Sequence, residues 1–124
     1  MDSIIHFEIP ANNIKRAQQF YEKAFDWRMN HMKEMNYTIM TTTASGKKGP
    51  TKPGAINGGM MRRNGIVTGP VVTVNVKDIE KSMKAVSRLG GRVLKGKMPV
   101  GNMGYSAYVK DTEGNIIGLW QHAK

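Results

Sequence analysis

One strand–cap–helix pattern occurs twice in this chain, and that repetition constrains the fold more than any other feature. The first copy has a β-rich segment from His6, a capping residue at Asn13 and then a helical run. The second copy starts at Val71 and has Asp78 at the capping position, 65 residues further along in both cases. Because this offset is about half of the 124-residue chain, the pattern predicts one domain, 1–124, built from modules 1–65 and 66–124.

The first β-rich segment alternates in a way that assigns its two faces. Phe7 and Ile9 fall on one face, while His6 and Glu8 fall on the other. The helical run that follows places apolar residues at spacings of three, four and seven, which predicts one apolar face made of Ile14, Ala17, Phe20, Tyr21, Ala24 and Phe25. This face is expected to cover Phe7 and Ile9, which leaves His6 and Glu8 in a cleft.

The second half follows the same plan. Its first strand is predicted to bury Val72, Val74 and Val76 and to turn Thr73 and Asn75 toward the cleft. A short strand at 92–94, a loop at 97–104, and two further strands complete a βαβββ order. In the last strand Ile117 and Leu119 pack inward, so that Gly118 and Trp120 face the cleft. In the first half, 44–54 is rich in Gly, Pro and Lys and is predicted to be an exposed loop.

The charge balance narrows the range of partners. The chain has 19 Lys and Arg against 9 acidic residues, a formal net charge of +10. These cations are scattered and lack interleaved aromatic residues, which favours attraction of anionic small molecules over specific nucleic-acid binding. No apolar run approaches the roughly 18–20 residues of a membrane span. The absence of Cys excludes thiol chemistry and fits a cytoplasmic protein.

Three segments, 6–13, 17–27 and 108–121, resemble the vicinal oxygen chelate superfamily of glyoxalase I, extradiol dioxygenases and bleomycin-resistance proteins. The helix with Phe20-Tyr21 and the turn Glu113-Gly114-Asn115 before the last strand are similar to that superfamily. The resemblance implies an α+β fold in which two βαβββ modules form an open U-shaped mixed β-barrel with the helices outside. It also implies a homodimer and a site in the cleft between the modules.

Metalloenzymes of that superfamily hold a divalent ion with residues on the first and last strands of each module. Carried over to this chain, the resemblance places His6 at one ligand position, but Val71 and Gly118 at two others. The remaining position falls near 57–59, where no strong ligand occurs. We therefore predict no metal site and no cofactor in this chain alone; a metal would require ligands shared between chains.

Eight residues are predicted to form the site. His6 and Glu8 share a strand face and are the candidate acid/base pair for catalysis. The predicted ligand-binding residues are Tyr37, Asn57, Thr73, Asn75, Tyr108 and Trp120. As alternatives, His6 and Glu8 serve only as polar strand residues, and Trp120 and Tyr108 serve only in packing.

Three functions remain open from the sequence. The first is a glyoxalase/bleomycin-resistance-like protein that binds a small anionic or aromatic molecule without a full metal site. The second is a lactoylglutathione-lyase-like lyase or a related isomerase that uses His6 and Glu8, or a metal. The third is a polyanion binder that acts through charge alone. Neither an activity nor a substrate follows from the sequence.

Overall fold

The computed structural model describes all residues, 1–124, and shows an α+β chain. Its helices are α1 (Ile14–Phe25) and α2 (Ile79–Arg88), with a short 3₁₀ helix at Lys33–Met35. Its strands are β1 (Ile4–Ala11), β2 (Arg28–Met32), β3 (Tyr37–Thr41), β4 (Ser45–Gly46), β5 (Gly49–Pro50), β6 (Asn57–Arg62), β7 (Val71–Asn75), β8 (Arg92–Val100), β9 (Gly104–Lys110) and β10 (Ile116–His122). This order confirms the two predicted βαβββ modules, the first of which carries the additional β4–β5 hairpin.

The chain separates into two compact units, residues 6–70 and residues 71–124 together with 1–5. The N-terminal residues group with the second unit, where the Asn75 backbone N–H donates to the Ser3 carbonyl at 2.8 Å. The division at 70/71 lies five residues beyond the predicted boundary of 65/66. Asn64 accounts for this, because its side-chain oxygen accepts from the backbone N–H groups of Ile66 and Val67 and closes a turn within the first unit.

In the first unit, the strands lie in the order β2-β3-β6-β1. Strand β1 pairs with β6 in parallel, and the β3–β6 and β2–β3 pairs are antiparallel. Asn13 caps α1, since its side-chain oxygen accepts from the Arg16 backbone N–H at 3.0 Å. The core between this helix and the sheet is centred on buried Ala11, Met40 and Met60.

The apolar face of α1 is only partly covered. Phe7 and Ile9 pack in the α1-side core as predicted. However, Phe20 and Phe25 remain 59% and 57% exposed, and no residue of α1 is fully buried. The predicted face was therefore too wide, because the core takes up Ile14, Ala17 and Tyr21 and leaves the outer aromatic rings in solvent.

In the second unit, the strands lie in the order β7-β10-β9-β8. Strand β7 pairs with β10 in parallel, and β9 pairs antiparallel with both β10 and β8. Asp78 caps α2 through the Lys81 backbone N–H at 3.1 Å, as its position in the repeat predicts. The core contains Val76, Ile79, Ala107, Val109 and Leu119.

Two details of the second unit differ from the predictions. Val72 is 40% exposed and not buried, because α2 packs against β8, β9 and β10 and leaves this part of β7 uncovered. The predicted loop at 97–104 is largely strand, since β8 continues to Val100. Register shifts on either side of Lys95 accommodate the extra residues, and Pro99 is tolerated because β8 is an edge strand.

The predicted loop at 44–54 forms the small β4–β5 hairpin and is mostly exposed. Neither α1 nor α2 is long and apolar enough to cross a membrane.

Candidate functional site

Strand β1 presents two polar side chains away from α1. Phe7 and Ile9 pack on the helix side, so the alternation of the strand turns His6 and Glu8 to the opposite face, as predicted. Glu8 is only 7% exposed. A buried carboxylate requires hydrogen bonds from neighbouring groups.

Tyr37 joins the two side chains. Its hydroxyl lies 2.8 Å from His6 Nε2 and donates to Glu8 Oε2 at 2.8 Å. The His6 and Tyr37 rings are also nearly parallel, with centroids 6.4 Å apart. The structure thus brings together both predicted catalytic residues and one predicted ligand-binding residue in a single chain of hydrogen bonds.

A glycine makes this contact possible. Tyr37 is on β3 and Glu8 is on β1, with β6 between these two strands. Gly59 is the β6 residue in register with Glu8, and a Cβ atom there would collide with the Tyr37 hydroxyl and ring. On the other face of β6, Gly58 gives the same room to the ring of Phe7. The Gly58-Gly59 pair therefore admits one aromatic ring on each face.

The hydrogen bonds determine the tautomer of His6. Tyr37 has one hydroxyl proton and donates it to Glu8, so its oxygen accepts from His6 Nε2. Neutral His6 then carries its proton on Nε2 and leaves a lone pair on Nδ1. No hydrogen bond from Nδ1 to another protein group is present, so this atom is the open acceptor of the site.

Burial also sets the charge of His6. Desolvation lowers the pKa of His6 below its ordinary value of 6.5, and the nearby Glu8 carboxylate opposes this shift only in part. His6 is therefore neutral at pH 7, which matches the tautomer that the hydrogen bonds require. A neutral imidazole can accept a proton or a hydrogen bond from a bound molecule.

Asn57, another predicted ligand-binding residue, uses its side chain for hydrogen bonds within the protein. It is opposite His6 in the β1–β6 register. Its side-chain oxygen accepts from the Thr42 backbone N–H at 2.9 Å, and its amide donates to Ser45 Oγ at 2.8 Å. These bonds hold the start of the β4–β5 segment against β6.

A second polar cluster, which the sequence analysis missed, lies on the helix face of β3. The fully buried Thr38 hydroxyl accepts from the Gln18 side chain at 2.9 Å and lies 3.0 Å from His31 Nδ1. The contact between His31 and Thr38 follows from the register of the β2–β3 pair, in which these two residues face each other. The cluster links α1 to the sheet.

The other four predicted residues belong to the second unit. Thr73 is 8% exposed and pairs in register with Gly118, where a Cβ atom would lie 2.7 Å from Thr73 Oγ1. Gly118 in turn pairs with Tyr108 on β9. The structure thus places Thr73 and Tyr108 on either side of one glycine.

Asn75 and Trp120 also pair in register. The Asn75 side-chain oxygen is buried without a hydrogen-bond partner. Trp120 donates from Nε1 to His122 Nδ1 at 3.1 Å. Asn75 is therefore the one residue of this group with an unmatched buried acceptor.

The donor set does not fit a divalent metal. No group of three or more His, Cys, Asp or Glu side chains comes together in the structure. On the polar face of β1 the candidate ligands are His6 and Glu8, and each is hydrogen-bonded to the Tyr37 hydroxyl. A protein zinc site usually has three or four such ligands.

Comparisons with known proteins agree with this architecture. The family described as "Bleomycin resistance protein-like N-terminal" matches residues 3–43. A "Glyoxylase-like domain-containing protein" from Didymella fabae is 31% identical over 121 residues, which cover 90% of this chain and 88% of that protein.

Two solved structures show the same fold at low identity. Methylmalonyl-CoA epimerase from Mycobacterium tuberculosis has a TM-score of 0.61 at 13% identity, covering 98% of this chain and 88% of that chain. A glyoxalase/bleomycin resistance protein/dioxygenase superfamily member from Vibrio splendidus 12B01 has a TM-score of 0.63 at 11% identity, covering 98% and 99%. The relative at 31% identity shows that this chain belongs to the vicinal oxygen chelate superfamily, among its glyoxalase- and bleomycin-resistance-like proteins.

Proposed function

We propose that this chain binds a small organic molecule, anionic or aromatic, at the face formed by His6, Tyr37 and Glu8, without a divalent metal. The observation that carries the proposal is the bridging Tyr37 hydroxyl, which lies 2.8 Å from both neighbours. It occupies Nε2 of His6 and leaves Nδ1 for a ligand.

The charges of the site determine which chemical group of a ligand can face His6 and Glu8. His6 Nδ1 accepts a hydrogen bond, and the Glu8 carboxylate repels a negative group placed directly beside it. The ligand therefore presents an O–H or N–H group to His6. An acidic group elsewhere on the ligand is favoured by the net charge of +10.

A thermal-shift screen of the full chain against organic acids, glutathione adducts and aromatic drugs tests this proposal. A ligand at about 100 times its dissociation constant adds about 2.7 kcal/mol to the free energy of unfolding. A compound that stabilises the protein is then titrated by calorimetry against His6→Gln and Tyr37→Phe. Both changes should weaken binding about tenfold, which is about 1.4 kcal/mol.

The matched control is Tyr105→Phe. It removes a tyrosine hydroxyl from β9 and keeps the ring that lies under Lys97 Nζ, 4.4 Å from the ring centroid. This variant should bind as the unchanged protein does. Full affinity in both His6→Gln and Tyr37→Phe would show that the ligand binds elsewhere and would reject the proposal.

A second candidate function is an isomerase or lyase that transfers a proton through His6. The observation that favours it is the neutral His6 with Nδ1 open, which has the properties of a general base. The base would take a proton from a carbon next to a carbonyl: the C–H bond breaks, an N–H bond forms, and the electron pair becomes an enolate. Return of a proton to that carbon regenerates neutral His6.

Incubation with methylmalonyl-CoA in D₂O, read by NMR, tests this second function. Methylmalonyl-CoA is the probe because one of the solved structures with this fold is a methylmalonyl-CoA epimerase. If His6 transfers the proton, deuterium should enter at the carbon next to the carbonyl faster than it does in buffer alone. This acceleration should be lost in His6→Gln. Binding without any exchange would support the first proposal and remove the second for this probe.

A further inference from the structure

The first unit contains a cavity of about 370 Å³ on the α1 side of the sheet. Its walls come from the end of β1, the start of α1, and Arg63, which directly follows β6. Ile9 lines this cavity, whereas Glu8, the preceding residue, contacts Tyr37 on the opposite face of β1. The cavity is therefore separate from the site of the proposed function.

One wall of the cavity is apolar and partly open to solvent. Ala17, Phe20 and Tyr21 contribute from α1, and Ile9 and Ala11 contribute from β1. Phe20 is 59% exposed, and its ring lies edge-on to that of Tyr21 with centroids 5.1 Å apart. Apolar concave surfaces of a few hundred Å³ with a small number of polar groups are typical of small-molecule sites.

Besides Asn12 and Asn13, whose side-chain oxygens accept hydrogen bonds from the Arg63 side chain and the Arg16 backbone, the cavity is lined by two charged side chains, the arginines Arg16 and Arg63. The one ion pair of the structure joins Lys97 and Glu80, so neither Arg16 nor Arg63 is neutralised by a carboxylate. Both side chains line the same cavity as Phe20. An apolar wall beside two unpaired guanidinium groups matches a ligand that carries an aromatic ring and a negative charge.

Arg63 is also held in position. Its Nε donates to the Asn12 side-chain oxygen at 3.1 Å, and its Nη1 donates to the Thr68 carbonyl. Its backbone N–H donates to the Ala11 carbonyl at 3.0 Å. The Nη2 hydrogens remain for a ligand, and a fixed guanidinium loses less conformational freedom when it binds a carboxylate.

We propose that this cavity binds a small aromatic carboxylate. The ring lies against Phe20 and Ala17, and the carboxylate accepts hydrogen bonds from Arg63 and Arg16. Planar pairing with a carboxylate is the contact for which a guanidinium is best suited. The same cavity discriminates against neutral and cationic aromatic compounds, because the two arginines then gain no partner.

An NMR titration of the ¹⁵N-labelled full chain with 2-naphthoate tests the proposal. We expect saturable shifts of the backbone amides of 11–20 and of Arg63. Arg16→Gln and Arg63→Gln should each weaken binding about tenfold, and Phe20→Ala should weaken it as well. Arg16 and Phe20 are exposed, so these two variants test the site even if Arg63→Gln perturbs the turn that it holds.

Three controls decide between this cavity and the alternatives. Arg88→Gln removes an exposed arginine from α2 and should leave binding unchanged, as should His6→Gln. The neutral isostere 2-naphthamide should bind at least about tenfold more weakly than 2-naphthoate. Equal binding of the amide, full affinity in Arg16→Gln, a loss of affinity in His6→Gln, or shifts centred on the lysines of 77–84 would each overturn the proposal.

Discussion

At the scale of single residues, the Tyr37 hydroxyl determines the hydrogen bonding between His6 and Glu8. Its O–H group donates one hydrogen bond, which Glu8 accepts, so His6 must donate from Nε2. Burial favours the neutral ring by lowering the pKa of His6. Hydrogen bonding thus places the proton of the neutral ring on Nε2, and desolvation keeps the ring neutral, so that the Nδ1 lone pair stays available.

The lowered pKa of His6 predicts how stability depends on pH. The unfolded chain takes up this proton near pH 6.5, whereas the folded chain takes it up only at a lower pH. Between these two pH values the unfolded state binds more protons, so the free energy of unfolding falls as the pH falls. Above about pH 6.5, the contribution is fully present.

Urea denaturation across pH 5–8, together with NMR titration of the His6 ring, measures this effect. His6→Gln should remove the part of the pH dependence due to this residue, while His122→Gln on β10 should retain it. A His6 titration midpoint at or above 6.5 would contradict the prediction.

At the scale of elements, β6 acts as a spacer between β1 and β3. Gly58 and Gly59 lie between the two strands and leave room for Phe7 on one face and Tyr37 on the other. Which ring approaches each glycine depends on register, and the parallel β1–β6 pairing determines it.

Gly59→Ala should destabilise the protein and separate Tyr37 from its partners. The new methyl group would occupy the space of the Tyr37 hydroxyl, and overpacking of this kind typically costs about 1–3 kcal/mol. Urea denaturation measures the loss of stability, and the His6 ring signals report the lost contact. Gly69→Ala is the matched control, because nothing lies within 4 Å of a Cβ atom there; its stability should change by less than about 0.5 kcal/mol. Equal stability of the two variants would refute the spacer role of Gly59.

At the scale of the whole molecule, the chain has a formal net charge of +10. A cavity of about 510 Å³ in the second unit is lined by five lysines, yet it also contains Asp78 and Glu80. Glu80 pairs with Lys97 at 2.9 Å, and the carboxylate of Asp78 caps α2. Positive charge distributed in this way attracts anions at long range but does not discriminate between anions of different structure.

Binding to duplex DNA should therefore be weak and lack sequence preference. Because phosphate contacts release counterions, we expect detectable binding at about 50 mM salt to disappear by about 200 mM. Fluorescence anisotropy with two unrelated short duplexes measures both properties. Tight binding to one duplex that persists at the higher salt concentration would contradict this expectation and point to a nucleic-acid function.

Much of the fold could be predicted from the sequence, because its signals are local. Alternation in β1 assigned His6 and Glu8 to one face, and the capping side chains Asn13 and Asp78 marked the starts of both helices. The predictions for Val72 and for the 97–104 segment were wrong because these features depend on tertiary packing and not on local signals. Exposure of Val72 depends on where α2 packs, and strand formation at Pro99 depends on an edge position.

The sequence by itself determined the repeated βαβββ order and the polar face of β1, since hydrophobic period and capping chemistry act over a few residues. It also supplied His6, Glu8 and Tyr37 as separate candidates. Only the tertiary structure joined them, because the bridge spans two strand neighbours and requires the space left by Gly59. The buried environment that keeps His6 neutral, and the cavity that unites Arg16 with Arg63, likewise exist only where distant segments pack together.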